Sequence, residues 1–377
     1  MIFFDNASTT KPSEECLSAA EYYQKSLFFN PSAPYHPSVQ AAQDLASFRE
    51  KILKSLRGNG KIIFTSSGTE SDNLALFGAK KANGSRIIVS LSEHPAVSRC
   101  ADELKNKGYD VVFAPVDETG RVIEDEFARL VTPDTSLVSV MHVNNETGAV
   151  NDVKTLCKMA KSINNNLLFH SDGVQAVGKV PVNLSDLGVD LYSFSGHKIH
   201  GLRGVGGLYV KKDVHLRPIL FGGGQEFGVR SSTENLAGIA ALEKAVDRAV
   251  NRQKDNYESI KGVNEYIRNK LAEQGDAYLI ISGEQSSPYI LNFAMKYVRG
   301  EVMLHSLEKY DIYVGTGSAC SSKKTERTVT KFAHLPKEYE KGVLRVSFDE
   351  NATIEEADYF IKQLNLEYFQ LEKYMRG

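Results

Sequence analysis

The run K-I-I-F-T-S-S-G-T-E-S-D-N, residues 61–73, sets the architecture: an apolar β-rich segment, a turn of small polar residues, and the opening of a helix. Five further β-rich runs repeat its first part: R-I-I-V-S-L from Arg86, D-V-V-F-A from Asp110, S-L-V-S-V-M-H from Ser136, N-L-L-F-H-S from Asn166 and V-G-G-L-Y-V from Val205. Helix-compatible stretches at 70–81, 95–107 and 153–164 separate them and are long enough to serve as crossovers of a mostly parallel sheet. The pattern is α/β with buried strands. In such sheets ligands gather beyond the carboxyl ends of the strands. Polar clusters stand at those positions here: 66–70, 92–94, 142–146 and 171–175.

At 377 residues the chain exceeds the usual single domain, so two domains sharing a cleft are expected. From about Asn251 the texture changes to a long charged helix pattern followed by shorter elements. This predicts a large domain over 13–255 and a small domain formed by 1–12 with 256–377. Ile354, Ala357, Phe360, Ile361, Leu364, Leu366 and Phe369 predict an amphipathic terminal helix.

A hydrophobic content of 42% with 24% charged residues fits a globular chain, and no stretch approaches the roughly 20 apolar residues of a membrane span. A net charge of −2 gives no reason to expect a nucleic-acid surface. Cys16, Cys100, Cys157 and Cys320 lie far apart with no C-x-x-C spacing, so neither a metal cluster nor a disulfide framework is expected. M-I-F-F-D-N has no basic start or apolar core of a signal peptide. A reducing cytoplasm is the expected setting.

Lys198 lies in S-F-S-G-H-K-I-H-G, residues 193–201. A lysine amine can hold an aldehyde cofactor such as pyridoxal phosphate as a Schiff base, with Ser195 and His197 bonding its phosphate. A solvated loop lysine is the plainer alternative. At 66–73 the amides of Gly68, Thr69 and Glu70 are expected to point at an anion with a helix dipole behind them, or else simply to open a capped helix. Asp172, in H-S-D-G-V-Q, suits a protonated pyridine nitrogen, or caps the segment after it. Gln175 can reach a ring hydroxyl; a solvent-facing glutamine is the other reading. His94, before Pro95, can lie against a ring and move a proton. Asn145, in M-H-V-N-N-E-T-G, can bond a ring hydroxyl and a carboxylate, or serve turn chemistry. Arg345, in V-L-R-V-S-F, can grip a carboxylate with two nitrogens, or form a structural ion pair. Cys320 sits among small residues in V-G-T-G-S-A-C-S-S-K-K, where an exposed thiolate near Lys323 and Lys324 can act as a nucleophile. The other three cysteines suit inert buried positions.

In this order S-G-T-E-S-D-N, S-E-H, H-V-N-N-E-T-G, D-G-V-Q, S-G-H-K, G-G-G-Q-E-F-G-V-R-S-S-T and G-S-A-C-S-S resemble the cysteine desulfurases of the NifS/IscS type, within the class V pyridoxal-phosphate aminotransferases. The similarity runs from D-N-A-S-T-T at Asp5 to R-V-S-F at Arg345. The resemblance implies the PLP-dependent transferase fold (fold type I), with a mostly parallel seven-stranded sheet in the large domain and a smaller α+β domain. It implies cofactor attachment at Lys198, ring contacts from Asp172, Gln175 and His94, and phosphate contacts from Thr69, Ser195 and His197. It further implies a homodimer in which Thr233 reaches the partner's phosphate, a substrate carboxylate held by Asn145 and Arg345, and sulfur taken from L-cysteine by Cys320 as a persulfide, then passed to a protein acceptor. Iron–sulfur cluster assembly and tRNA thiolation are the pathways it suggests. Selenocysteine lyase or another class V aminotransferase is the second reading, and a non-catalytic sulfur-transfer partner the third.

Four departures stand out. Gly173 replaces the family's usual Ala, and Ser232 its usual Gly. N-P-S-A-P-Y-H-P-S at 30–38 is richer in proline than the family's loop, and residues 325–336 lack the family's P-S-x-V-L helix start.

Overall fold

The computed structural model describes residues 1–316, 329 and 332–375. Strands in chain order are β1 (Ile2–Phe3), β2 (Gly60–Thr65), β3 (Arg86–Ser90), β4 (Asp110–Ala114), β5 (Thr135–Ser139), β6 (Leu168–Asp172), β7 (Leu191–Ser195), β8 (Gly206–Lys211), β9 (Tyr278–Ile280), β10 (Ile290–Met295), β11 (Ile312–Tyr313) and β12 (Val343–Ser347). Helices are α1 (Glu14–Lys25), α2 (His36–Ser55), α3 (Gly68–Gly78), α4 (Pro95–Asn106), α5 (Glu124–Leu130), α6 (Val153–Ile163), α7 (Leu184–Leu187), α8 (Leu236–Asn251), α9 (Gln253–Ala272), α10 (Gly300–Glu308) and α11 (Ile354–Met375).

Seven strands form one sheet in the order β2-β8-β7-β6-β5-β3-β4. Only β8 runs against the rest, pairing antiparallel with both β2 and β7. Alternation along β2 shows why helices cover both faces. Ile62 and Phe64 join a core with Ile52 of α2 and Ala240 of α8, while Ile63 packs on the other side with Leu74 and Leu76 of α3. The six strands expected from composition are present. The seventh, β7, escaped that reading: all five of its residues are buried, and a short run buried on both faces carries no alternation.

A second apolar core gathers Phe4 near the amino terminus with Ile260 and Ile267 of α9, Phe293 of β10, Leu344 of β12 and Phe360 of α11. Its sheet is β12-β10-β9, all antiparallel, and β1 pairs with β11 beside it. The terminal helix is present, but its buried stripe differs from the expected one. Ala357, Phe360, Ile361, Leu364 and Tyr368 face inward, whereas Ile354, Leu366 and Phe369 are 41%, 46% and 47% exposed. A 3.6-residue period carries the inward stripe from 364 to 368 and leaves 366 and 369 off it.

Candidate active site

Five parallel strands end at one cavity of about 270 Å³. Beyond β2 come Gly68 and Thr69, beyond β3 His94, beyond β5 Asn145, at the end of β6 Asp172, at the end of β7 Ser195, and just after it His197 and Lys198. Gln175 and, from the second sheet, Arg345 complete the predicted set that the cavity brings together.

α3 starts at this cavity because Ser67 caps it, its Oγ accepting the Glu70 N–H at 3.1 Å, while Glu70 Oε2 accepts the Ser66 N–H at 2.7 Å. Glu70 therefore departs from the expectation. Its amide serves the cap, and its carboxylate pairs with Arg230 at 2.7 Å instead of facing the cavity. Gly68 and Thr69 remain at the helix start. A Cβ at Gly68 would stand 2.6 Å from Val174 Cγ2 and 3.6 Å from Ser195 Cβ, so glycine keeps this corner open.

Lys198 is no loose surface lysine. Its Nζ donates to the carbonyls of Ala7 and Ser8 at 2.6 and 2.7 Å, so the amino-terminal segment positions it. Gln175 is buried rather than solvent-facing; its Nε2 donates to Ala7 O at 2.9 Å and its Oε1 accepts from Lys179 Nζ at 2.6 Å. His197 Nδ1 hydrogen-bonds Thr9 Oγ1 at 3.1 Å.

Asp172 is buried, and its Oδ1 accepts the Val174 N–H at 2.9 Å, so it does cap the following turn as well as line the cavity. Burial first, and the charge of Asp72 second, push its carboxyl up to about 7. A cation beside it would restore its charge. His94 is the N-cap of α4, with Pro95 next. Its Nδ1 accepts the Ala96 N–H at 3.1 Å, and burial followed by the Lys198 charge lowers it to about 4. The ring is therefore neutral with its proton on Nε2.

Arg345 on β12 is buried. Nη2 pairs with Asp5 at 2.7 Å and Nη1 donates to Asn145 O at 2.9 Å, so the ion-pair alternative and the cavity placement both hold. Gly315 crosses close by, exchanging backbone bonds with Arg345 at 2.7 and 2.9 Å. Thr233 is exposed in the segment before α8 and is not among the lining residues. Cys320, Lys323 and Lys324 lie outside the described residues. Cys16, Cys100 and Cys157 are buried, and burial raises each thiol.

Asp5, Ala7, Ser8, Asp72 and Lys179 had no role assigned from sequence, although D-N-A-S-T-T was visible as a motif. Backbone carbonyls leave no side-chain signature. Lys179 is fully enclosed, and burial lowers its amine to about 7.

These residues fit pyridoxal phosphate. Ser195 Oγ is buried with no hydrogen-bond partner among the described residues, next to the start of α3 and the opening that Gly68 preserves. That is the chemistry of an anion cradle. Lys198 offers an amine and Asp172 an anionic partner for a ring cation on the same cavity wall.

A family model described as Aminotransferase class-V matches residues 2–360. A protein named NifS/IcsS protein homolog, from Lactobacillus delbrueckii subsp. bulgaricus, is 39% identical, covering 99% of this chain and 98% of its own length. The cysteine desulfurase NifS of Azotobacter vinelandii is 35% identical, covering 96% and 91%. A solved structure described as a NifS-like protein superposes with a TM-score of 0.89 at 32% identity, over 98% of this chain and 99% of that one.

Proposed function

The chain belongs to the class V aminotransferase family, and from that membership we propose that it is a pyridoxal-phosphate-dependent cysteine desulfurase, converting L-cysteine to L-alanine and passing the sulfur onward. The observation that carries this reading is the meeting of Lys198, Asp172, Ser195 and Arg345 in one cavity.

When bound, the cofactor supplies an aldehyde for amine capture and a ring that draws electron density from the substrate's Cα. Lys198 would hold it and, once released, take up and return the Cα proton. Asp172 would pair with the ring nitrogen, Gln175 would lie near the ring hydroxyl, and Ser195, His197, Thr69 and the Gly68 amide would hold the phosphate. Arg345 and Asn145 would fix the substrate's carboxylate. In its resting tautomer His94 presents an Nε2–H, so it donates a hydrogen bond that orients the substrate first. It accepts the substrate's thiol proton only when Nδ1 releases Ala96. The Cys320 thiolate would attack the substrate's sulfur: an S–S bond forms as the C–S bond breaks, Cys320 keeps the persulfide, and the carbon skeleton leaves as alanine after protonation.

Gly315 exchanges backbone hydrogen bonds with Arg345 at the cavity wall, and Cys320 follows five positions later in the sequence. A protein acceptor would then receive the sulfur, a role that suits iron–sulfur cluster assembly or tRNA thiolation in the cytoplasm. Among the described residues no helix is long and apolar enough to cross a membrane. We also assign a homodimer in which Thr233 serves the partner's phosphate site. Its exposure, and that of Phe221 and Phe227 at 81% and 57%, support this pairing. The separate apolar cores support a large domain over 13–255 and a small one over 1–12 and 256–377.

The test is optical. Protein loaded with pyridoxal phosphate should be yellow, and Lys198→Ala should lose the lysine-linked band. A parent that stays colourless with added cofactor refutes the reading.

A further inference from the structure

Gly173 follows Asp172 directly, and it is the position where this chain departs from the alanine of the family it resembles. The structure supplies a physical cause. A Cβ at Gly173 would stand 2.0, 2.1 and 2.4 Å from Cε1, Cζ and the hydroxyl of Tyr192, well inside any contact real carbon atoms make. The tyrosine ring occupies the space an alanine methyl would need.

Tyr192 cannot yield that space cheaply. It is the second residue of β7, fully buried, paired in register with Ser171 of the neighbouring β6, where Asp172 pairs with Ser193. Its hydroxyl hydrogen-bonds His142 Nδ1 at 2.8 Å, and the two rings meet nearly edge to face. His142 is buried, and burial lowers it to about 4, so the pair is neutral. The His142 amide in turn donates to Asp172 O at 2.9 Å, and the Gly173 amide donates to Ser193 O at 2.9 Å. The contacts close a ring around one peptide unit: Asp172 carbonyl to His142, His142 to Tyr192, Tyr192 onto Gly173, Gly173 to β7.

We infer that Tyr192 and His142 form a rear support, accommodated by Gly173, that fixes the Asp172 carboxylate for the cofactor ring; they are positioning residues. The inference rests on the reading of Asp172 as the partner of the ring nitrogen. With alanine at 173 this ring could not keep its place, so glycine and tyrosine are expected to act as a coupled pair.

The test is a double-mutant cycle on the full chain, reading pyridoxal phosphate affinity of the apoprotein, the pH midpoint of the bound cofactor's visible band, and apoprotein melting. Gly173→Ala should weaken cofactor binding by about tenfold and shift the midpoint, and adding Tyr192→Leu should restore affinity to within about threefold of the parent, the coupling expected of touching residues. Should Gly173→Ala fail to fold, Tyr192→Phe keeps the ring and removes only the bond to His142. It should still shift the band's midpoint and weaken binding about threefold. A parent that takes up no cofactor removes the premise. A parent that binds it, while Tyr192→Phe and Gly173→Ala match its affinity and midpoint, or while Tyr192→Leu fails to rescue Gly173→Ala, overturns the rear support.

Discussion

Arg345 of β12 and Asp5 at the amino-terminal end of the chain form an ion pair of 2.7 Å at the cavity wall, joining residues 340 positions apart. Asp5 takes one nitrogen and Asn145 O another, so the planar fork is oriented before any substrate arrives. Lysine at 345 would keep the charge and lose the fork. Arg345→Lys is expected to raise KM for cysteine by about tenfold or more with a smaller change in kcat, and to leave the cofactor's visible band in place. Steady-state kinetics beside an absorbance spectrum check this.

Ser195 gives a prediction in which stability and binding move in opposite directions. Its buried Oγ has no partner among the described residues, a situation costing about 1–3 kcal/mol. Ser195→Ala should therefore leave apoprotein melting unchanged or raised, while weakening pyridoxal phosphate binding. A variant that both melts earlier and binds normally contradicts the phosphate role.

The pH behaviour of the apoprotein follows from Asp172, pushed up to about 7 mainly by burial. Between its unfolded value near 4 and about 7, the folded state holds the proton more firmly, so this group's contribution to stability falls as pH rises through that window. Asparagine can keep the bond to Val174 N–H without having to ionise. The melting temperature of apo Asp172→Asn minus that of the parent should grow more positive from pH 5 to pH 8. A flat difference contradicts a raised carboxyl.

Ser232 sits at φ 142°, in the region that favours glycine, and glycine is what the resembled family carries there. Such a conformation costs roughly 1 kcal/mol or more for a residue with a Cβ. Ser232→Gly should raise the free energy of unfolding by about 1 kcal/mol, measured by chemical denaturation.

Much of this site was legible because strand ends announce themselves: an apolar run followed by small polar residues placed Gly68, His94, Asn145 and Asp172 near one cleft. What escaped the sequence was carried by tertiary contacts. The carbonyls of Ala7 and Ser8 hold Lys198, yet a backbone acceptor leaves no mark on residue type. The Glu70 amide opens a helix and on that pattern points toward the cavity, whereas the capping bonds to Ser67 and Ser66 turn it elsewhere. β7 hid inside a motif, its five buried residues lacking alternation. Gly173 stands in the sequence only as an exchange of one small residue for another, and the ring of Tyr192 in the space of its missing methyl is what gives that exchange a physical cause.

The most direct measurement is product analysis with L-cysteine, using cofactor-loaded protein under reducing conditions, for the parent and for Cys320→Ala. Equal amounts of alanine and sulfide from the parent, both lost in Cys320→Ala, are the predicted result. Pyruvate in place of alanine, or a Cys320→Ala protein that releases alanine and sulfide at the parent's rate, would contradict the account.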